Sequence, residues 1–96
     1  NALMKDAEFV DADFTGSLFV HTRLIRAVMT GSNFNYTNCT DADFSGGNLS
    51  NTTFKHANCK GVNFQGTGTT NTDFSNANLE GCNFFGARLK NAHFEG

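Results

Sequence analysis

The sequence predicts an all-β solenoid of square coils, and three observations carry that prediction. A five-residue pattern runs without a slip through all 96 residues. Every fifth residue from Met4 to Phe94 is large and apolar at 18 of 19 positions, and this set holds 10 of the 11 phenylalanines. Two places earlier the residue is always small, from Ala2 through Ser17, Thr37, Ala57 and Cys82 to Ala92, with Val62 the bulkiest. A period of five matches neither the period of about 3.6 of a helix nor that of about 2 of a strand. A strict repeat of this kind marks an array whose units stack on one another.

If each pentad is one side of a square, four make a coil and residue n lies over residue n+20. The large side chain points inward and the small one fits beside it, because two large ones would not. Phe14, Phe34, Phe54, Phe74 and Phe94 then form one all-Phe ladder of the core, and Met4, Leu24, Phe44, Phe64 and Phe84 form another. Coils joined by strand-like hydrogen bonds lie about 4.8 Å apart, close enough for rings to stack. Burying each Phe or Leu contributes roughly 1.5–3 kcal/mol, so even a thin core suffices for a chain of this length. Residues 1–96 are expected to form one domain of just under five coils.

The residue before the large position is Asx at Asp13, Asn33, Asn38, Asp43, Asn48, Asn58, Asn63, Asp73, Asn78 and Asn83. With these, the chain resembles the pentapeptide-repeat family, whose pattern is A-[DN]-[LF]-x-x, from Ala2-Leu3-Met4 to Ala92-His93-Phe94. The resemblance implies a right-handed quadrilateral parallel β-helix. It implies no single function, because the family includes recognition regions of bacterial effectors, cyanobacterial and plastid proteins, adaptors, and DNA mimics that protect DNA gyrase. Eight glycines close pentads, at Gly16, Gly31, Gly46, Gly61, Gly66, Gly81, Gly86 and Gly96. Corners need residues that accept positive φ, and Gly and Asn supply them. At such a corner, Asn51→Ala is expected to cost little.

Composition narrows the function classes. A net charge of −2 favours neither nucleic-acid binding nor a strongly acidic surface. Mean hydropathy is −0.35, and no apolar run reaches the roughly 20 residues of a membrane span. All three cysteines sit at inward positions, with Cys39 and Cys59 stacked on adjacent coils. They read as a redox pair or as buried thiols acting as small hydrophobes. Their odd count favours a reducing compartment. No CxxC or Cys/His spacing suggests a metal, and His21, His56 and His93 fall on different sides or coils. A convex tube with a filled interior offers no cleft for a substrate. No enzyme activity and no cofactor are expected.

Two stretches break the pattern. Across 17–30 the outward positions read Leu18, Val20, His21, Arg23, Ile25, Arg26 and Val28, where other coils carry Asn, Ser, Thr, Gly or Asp. Apolar side chains beside two arginines form the composition of a contact surface. Packing against an N-terminal cap, or the β-propensity of a strand-like side, would account for it as well. Phe85, the one Phe outside the core column, shares an outward column with Ile25 and is a candidate hot spot. Thr69 is the one polar residue in the large column, inside Gly66-Thr67-Gly68-Thr69-Thr70. That segment lacks the Lys of a phosphate loop, so a bulge or loosened side is expected.

The reading that follows is a protein-interaction scaffold whose candidate partner surface is Leu18, Val20, Arg23, Ile25, Arg26, Val28 and Phe85. The pattern begins and stops in mid-repeat without a polar cap, so the expectation is a segment of a longer chain, or ends covered by a partner or a second copy. A homodimer through an open coil end is one form of that. The alternative is DNA mimicry directed at a type II topoisomerase, with Asp6, Glu8, Asp11, Asp13, Asp41, Asp43 and Asp73 as its acids. Lys55, Lys60, Arg88 and Lys90 interrupt such a surface. One continuous negative side would support it and a mixed surface would not.

Overall fold

Each pentad forms one short side and one corner of a square coil. The computed structural model describes residues 3–96, so the small position at Ala2 lies outside it. Within it, residues 20 apart pair in parallel along all four sides, from Leu3 with Arg23 to Asp73 with His93. The molecule measures 30 × 25 × 22 Å. Among the described residues no helix is long and apolar enough to cross a membrane.

The Asx pattern has a backbone cause, visible in the pentad Val62–Gly66. The Val62 amide closes the preceding corner onto the Cys59 carbonyl at 3.1 Å. Asn63 donates to Ala42 on the coil before at 2.9 Å, while Phe64 and Gly66 donate to Asn83 and Phe85 on the coil after, at 2.7 and 2.9 Å. Only the Gln65 amide lacks a backbone acceptor, and the Asn63 side-chain oxygen takes it at 2.9 Å. The same cap forms at all ten Asx positions named above. The Asn columns thus satisfy a donor within their own pentad, while the ladder of hydrogen bonds between coils is made mainly by the backbone. Thr53 breaks the rule and is compensated across coils, since the Lys55 amide and the Thr53 hydroxyl both donate to the Asn35 side chain, at 2.9 and 2.7 Å.

Every fifth residue from Asp6 to Gly96 has positive φ, whether glycine or not. This corrects the expectation for Asn51. Its φ is +62°, and its side-chain oxygen accepts a hydrogen bond from the Asn71 side-chain nitrogen at 3.1 Å. Left-handed backbone costs a Cβ-bearing residue about 1–2 kcal/mol, which Asn offsets in part and Ala does not. Asn51→Ala is therefore expected to lose about 1 kcal/mol, and Asn51→Gly markedly less, by urea denaturation.

Square geometry is written into the ring planes. Phe34, Phe54 and Phe74 stack at 4.7 and 5.3 Å with planes within 14° of parallel. Phe44 and Phe64 stack likewise on the neighbouring side, at 5.7 Å. Where the two ladders meet at the corner they cross edge-on, as Phe54 does with Phe64 at 87° and Phe44 does with Phe54 at 79°. Inward threonines hide their hydroxyls by donating to the carbonyl three residues back, Thr37 to Phe34 and Thr67 to Phe64, each at 2.7 Å. Among the described residues no buried side-chain polar atom lacks a partner.

Two expectations about the core need correction. Phe94 stacks on Phe74 at 5.3 Å but is 45% exposed, and Phe14 is only partly buried. Each lies on an outermost coil of these 96 residues, with a neighbouring coil on one side only. Nor does Thr69 loosen its side. It is fully buried, its amide donates to the Arg88 carbonyl at 2.9 Å, and its hydroxyl donates to the same oxygen.

The cysteines are free thiols on the inner wall. Hydrogen bonding to Cys39, reinforced by burial, pushes the Cys59 thiol far up, and burial pushes Cys82 up to about 11. The thiolate is the nucleophile, so both are inert at neutral pH. Iodoacetamide at pH 7.5 should leave Cys59 unmodified in the folded chain and alkylate it in urea, as read by mass spectrometry.

Candidate interaction surface

Consecutive pentads lie on consecutive sides, and this decides which outward residues meet. Leu18 and Val20 occupy the fourth side of the first coil, Arg23 and Ile25 the first side of the second, and Val28 the side after that. The stretch 17–30 therefore wraps three sides and is not one flat patch. Leu18 is 73% exposed, Arg23 and Arg26 are exposed, and Val20, Ile25 and Val28 are half-buried. Arg26 is held by Asp6 one coil before, at 3.0 Å. Phe85 is 76% exposed in Ile25's column but three coils away, so it is a separate feature.

The same stretch departs from the backbone scheme. Leu18, Arg23 and Val28 stand at three successive Asx positions. They have no oxygen to cap the amides of Val20, Ile25 and Thr30. Nowhere else from Asp13 to Asn83 do three pentads in a row lack that residue. A lost cap costs up to about 1 kcal/mol, and none of the three side chains joins the buried core in exchange.

Charges are mixed on every side. Arg26 pairs with Asp6, Lys60 with Glu80 at 3.7 Å, and Lys55 with Asp73 at 3.7 Å, while His21 lies 3.9 Å from Asp41. Asp43 lies on the first side, Glu8 and Asp11 on the second, Asp13 on the third. No continuous negative side results. Among the described residues no cluster could hold a metal ion.

Two aspartates are tuned by their caps. The Thr15 hydroxyl, then the Thr15 amide, hold Asp13 below its ordinary 3.8, and the Ser75 hydroxyl does the same for Asp73. A carboxyl lowered on folding stabilises the fold above its unfolded value, and that contribution is lost as pH falls through the folded value. Asp73→Asn keeps the capping oxygen and removes the proton. Its melting temperature should therefore fall less than the parent's as pH drops from 4 to 2, by circular dichroism.

Two features escaped the sequence reading. Tyr36 stacks on His56 at a corner, 5.0 Å apart and 12° from parallel. A depression of about 360 Å³ opens on the second side, lined by Asn48, Ser50, Gly66, Gly68, Thr70, Gly86 and Arg88. Gly68 at an Asx position, between corner glycines one coil apart at Gly66 and Gly86, was the signal for it.

A model of the pentapeptide repeat region matches residues 19–94. No curated protein sequence matches the chain. The pentapeptide repeat protein Rfr23 from the cyanobacterium Cyanothece 51142 superposes with a TM-score of 0.93 at 22% identity, covering 97% of this chain and 64% of its own. HetL of Nostoc sp. strain PCC 7120, a pentapeptide repeat protein involved in heterocyst differentiation regulation, gives 0.87 at 18% identity over 94% and 46%. QnrB1, a plasmid-mediated fluoroquinolone resistance protein, gives 0.51 at 20% over 98% and 63%. The chain thus spans roughly half to two-thirds of the length of these structures. Five-residue sides, capped corners, n over n+20 stacking and the matching repeat model place this chain in the pentapeptide-repeat family, with its right-handed quadrilateral β-helix.

Proposed function

We propose that this solenoid is a non-catalytic interaction scaffold and that the coil spanning residues 17–30 is the surface it offers to a protein partner. The observation that carries this reading is the surrender of three successive caps at Leu18, Arg23 and Val28. Of the outward residues here the two arginines are of a type enriched at protein interfaces, and Leu18 adds exposed apolar area beside them. The filled interior supports a role played on the outside, without a cofactor. Mimicry of DNA against a topoisomerase draws less support, because the acids are divided among sides and two of the seven, Asp6 and Asp73, are paired with cations across coils. The likeness to QnrB1 concerns the fold.

A cap-restoring variant tests this. Leu18→Asn, Arg23→Asp and Val28→Asn together should raise stability by about 1–2 kcal/mol, since each returns one hydrogen bond. A photo-crosslinking residue at Ile25 should give a discrete protein adduct in cells, abolished by those three changes, while the same residue at Gln65 gives none. Equal adducts at both positions, or an adduct indifferent to the three changes, would contradict the proposal.

A further inference from the structure

The depression on the second side is built by omission. Gly68 stands where other pentads carry Asn or Asp, so the Thr70 amide has no capping oxygen. Backbone geometry does not require glycine there. Its φ is not positive, and a Cβ would meet only the Asn48 and Ser50 side chains at ordinary distances of 3.5–4.0 Å. A side chain would fit, and its absence leaves space. Around that space stand Ser50, Thr70 and Arg88, together with Asn48, whose side-chain oxygen already accepts the Ser50 amide, and no carboxylate is among the lining residues. Arg88 and Lys90, one coil beyond Thr70, take part in no ion pair among the described residues. Gly66 and Gly86 strip the adjoining corner of side chains, which lets another backbone come close. Phe85, next to that corner, adds an exposed apolar flank.

We infer that this depression is an oxyanion seat that takes a carboxylate from an acidic, extended segment of a protein partner. The group it lacks is the one that the ten capped pentads supply themselves, an Asx oxygen on the amide two residues on. An incoming Asp or Glu would cap the Thr70 amide with one oxygen and accept from Arg88 with the other, a charge-assisted arrangement stronger than a neutral cap. The position left empty is that of an Asx oxygen, so a side-chain carboxylate fits it by shape, and inorganic phosphate serves as the charge-only control. The inference rests on the scaffold reading and names partner chemistry at a second place on it.

The test is an amide NMR titration of the chain with a capped hexapeptide of alternating Glu and Leu, run beside an alternating Gln and Leu control and inorganic phosphate at matched ionic strength. The Thr70 and Lys90 amides should shift saturably with the Glu peptide alone. Arg88→Gln should weaken that binding about tenfold, the scale of one charge-assisted contact. Gly68→Asn should abolish it while melting no lower than the parent, because it fills the seat and restores the cap. No saturable shift, equal binding by Gly68→Asn, or tighter binding of phosphate than of peptide would overturn the carboxylate assignment. Crosslinking from Ile25 would persist in each of those cases, so failure here is distinguishable from failure of the scaffold reading.

Discussion

Phe54→Asp should leave the chain unfolded at 25 °C. Phe54 is fully buried at the middle of the third-side ladder, stacked between Phe34 and Phe74 and crossed edge-on by Phe44 and Phe64. Truncating such a ring alone costs about 3–5 kcal/mol. An unpaired carboxylate in its place adds several more, or forces protonation. Together these approach the whole stability of about 5–15 kcal/mol that a domain holds. Phe54→Leu, which keeps most of the volume, should cost no more than about 1.5 kcal/mol. Circular dichroism melts of the pair separate the inward assignment from a general intolerance at residue 54.

Ala57→Phe tests the complementary rule, that each side accommodates one large residue and one small. Ala57 is almost completely buried two positions before Cys59, itself wholly buried. A ring there has no volume to enter, and overpacking of this kind reaches about 3 kcal/mol. Ala57→Thr should be tolerated within about 1 kcal/mol, because Thr37, one coil before, already occupies the equivalent position by donating its hydroxyl to a carbonyl three residues back. Equal losses from Phe and Thr would mean that the small column is set by polarity and not by space.

The architecture was legible because one spacing serves three physical demands at once. Phe34, Phe54 and Phe74 could be placed in a ladder from their numbering alone, since stacked coils convert a separation of 20 residues into contact. Thr69 was misread because polarity at an inward position was taken as a packing fault. Its hydroxyl finds the Arg88 carbonyl within the wall, a partner that composition cannot reveal. Phe94 was overvalued because a column of letters does not show which coils have a neighbour on both sides. The outward residues were the harder case. Leu18, Ile25 and Val28 are close in sequence, yet a square coil turns a corner every five residues and sends them to different sides. The depression at Gly68 was hidden for a related reason, since it is made by what three glycines leave out and not by any residue that carries chemistry.

The central claim is that in the inner coils every amide of a pentad has an assigned acceptor except where the Asx cap is missing, and that those uncapped amides are left to solvent or to a partner. Site-resolved amide hydrogen exchange measures this directly. Across the inner coils protection should recur every five residues, with Thr40, Ser45 and Gln65 slowed by their Asx caps and Val20, Ile25, Thr30 and Thr70 exchanging faster than these. If those four amides were protected as strongly as Gln65, or if protection followed any period other than five, the backbone scheme and the surfaces drawn from it would be wrong.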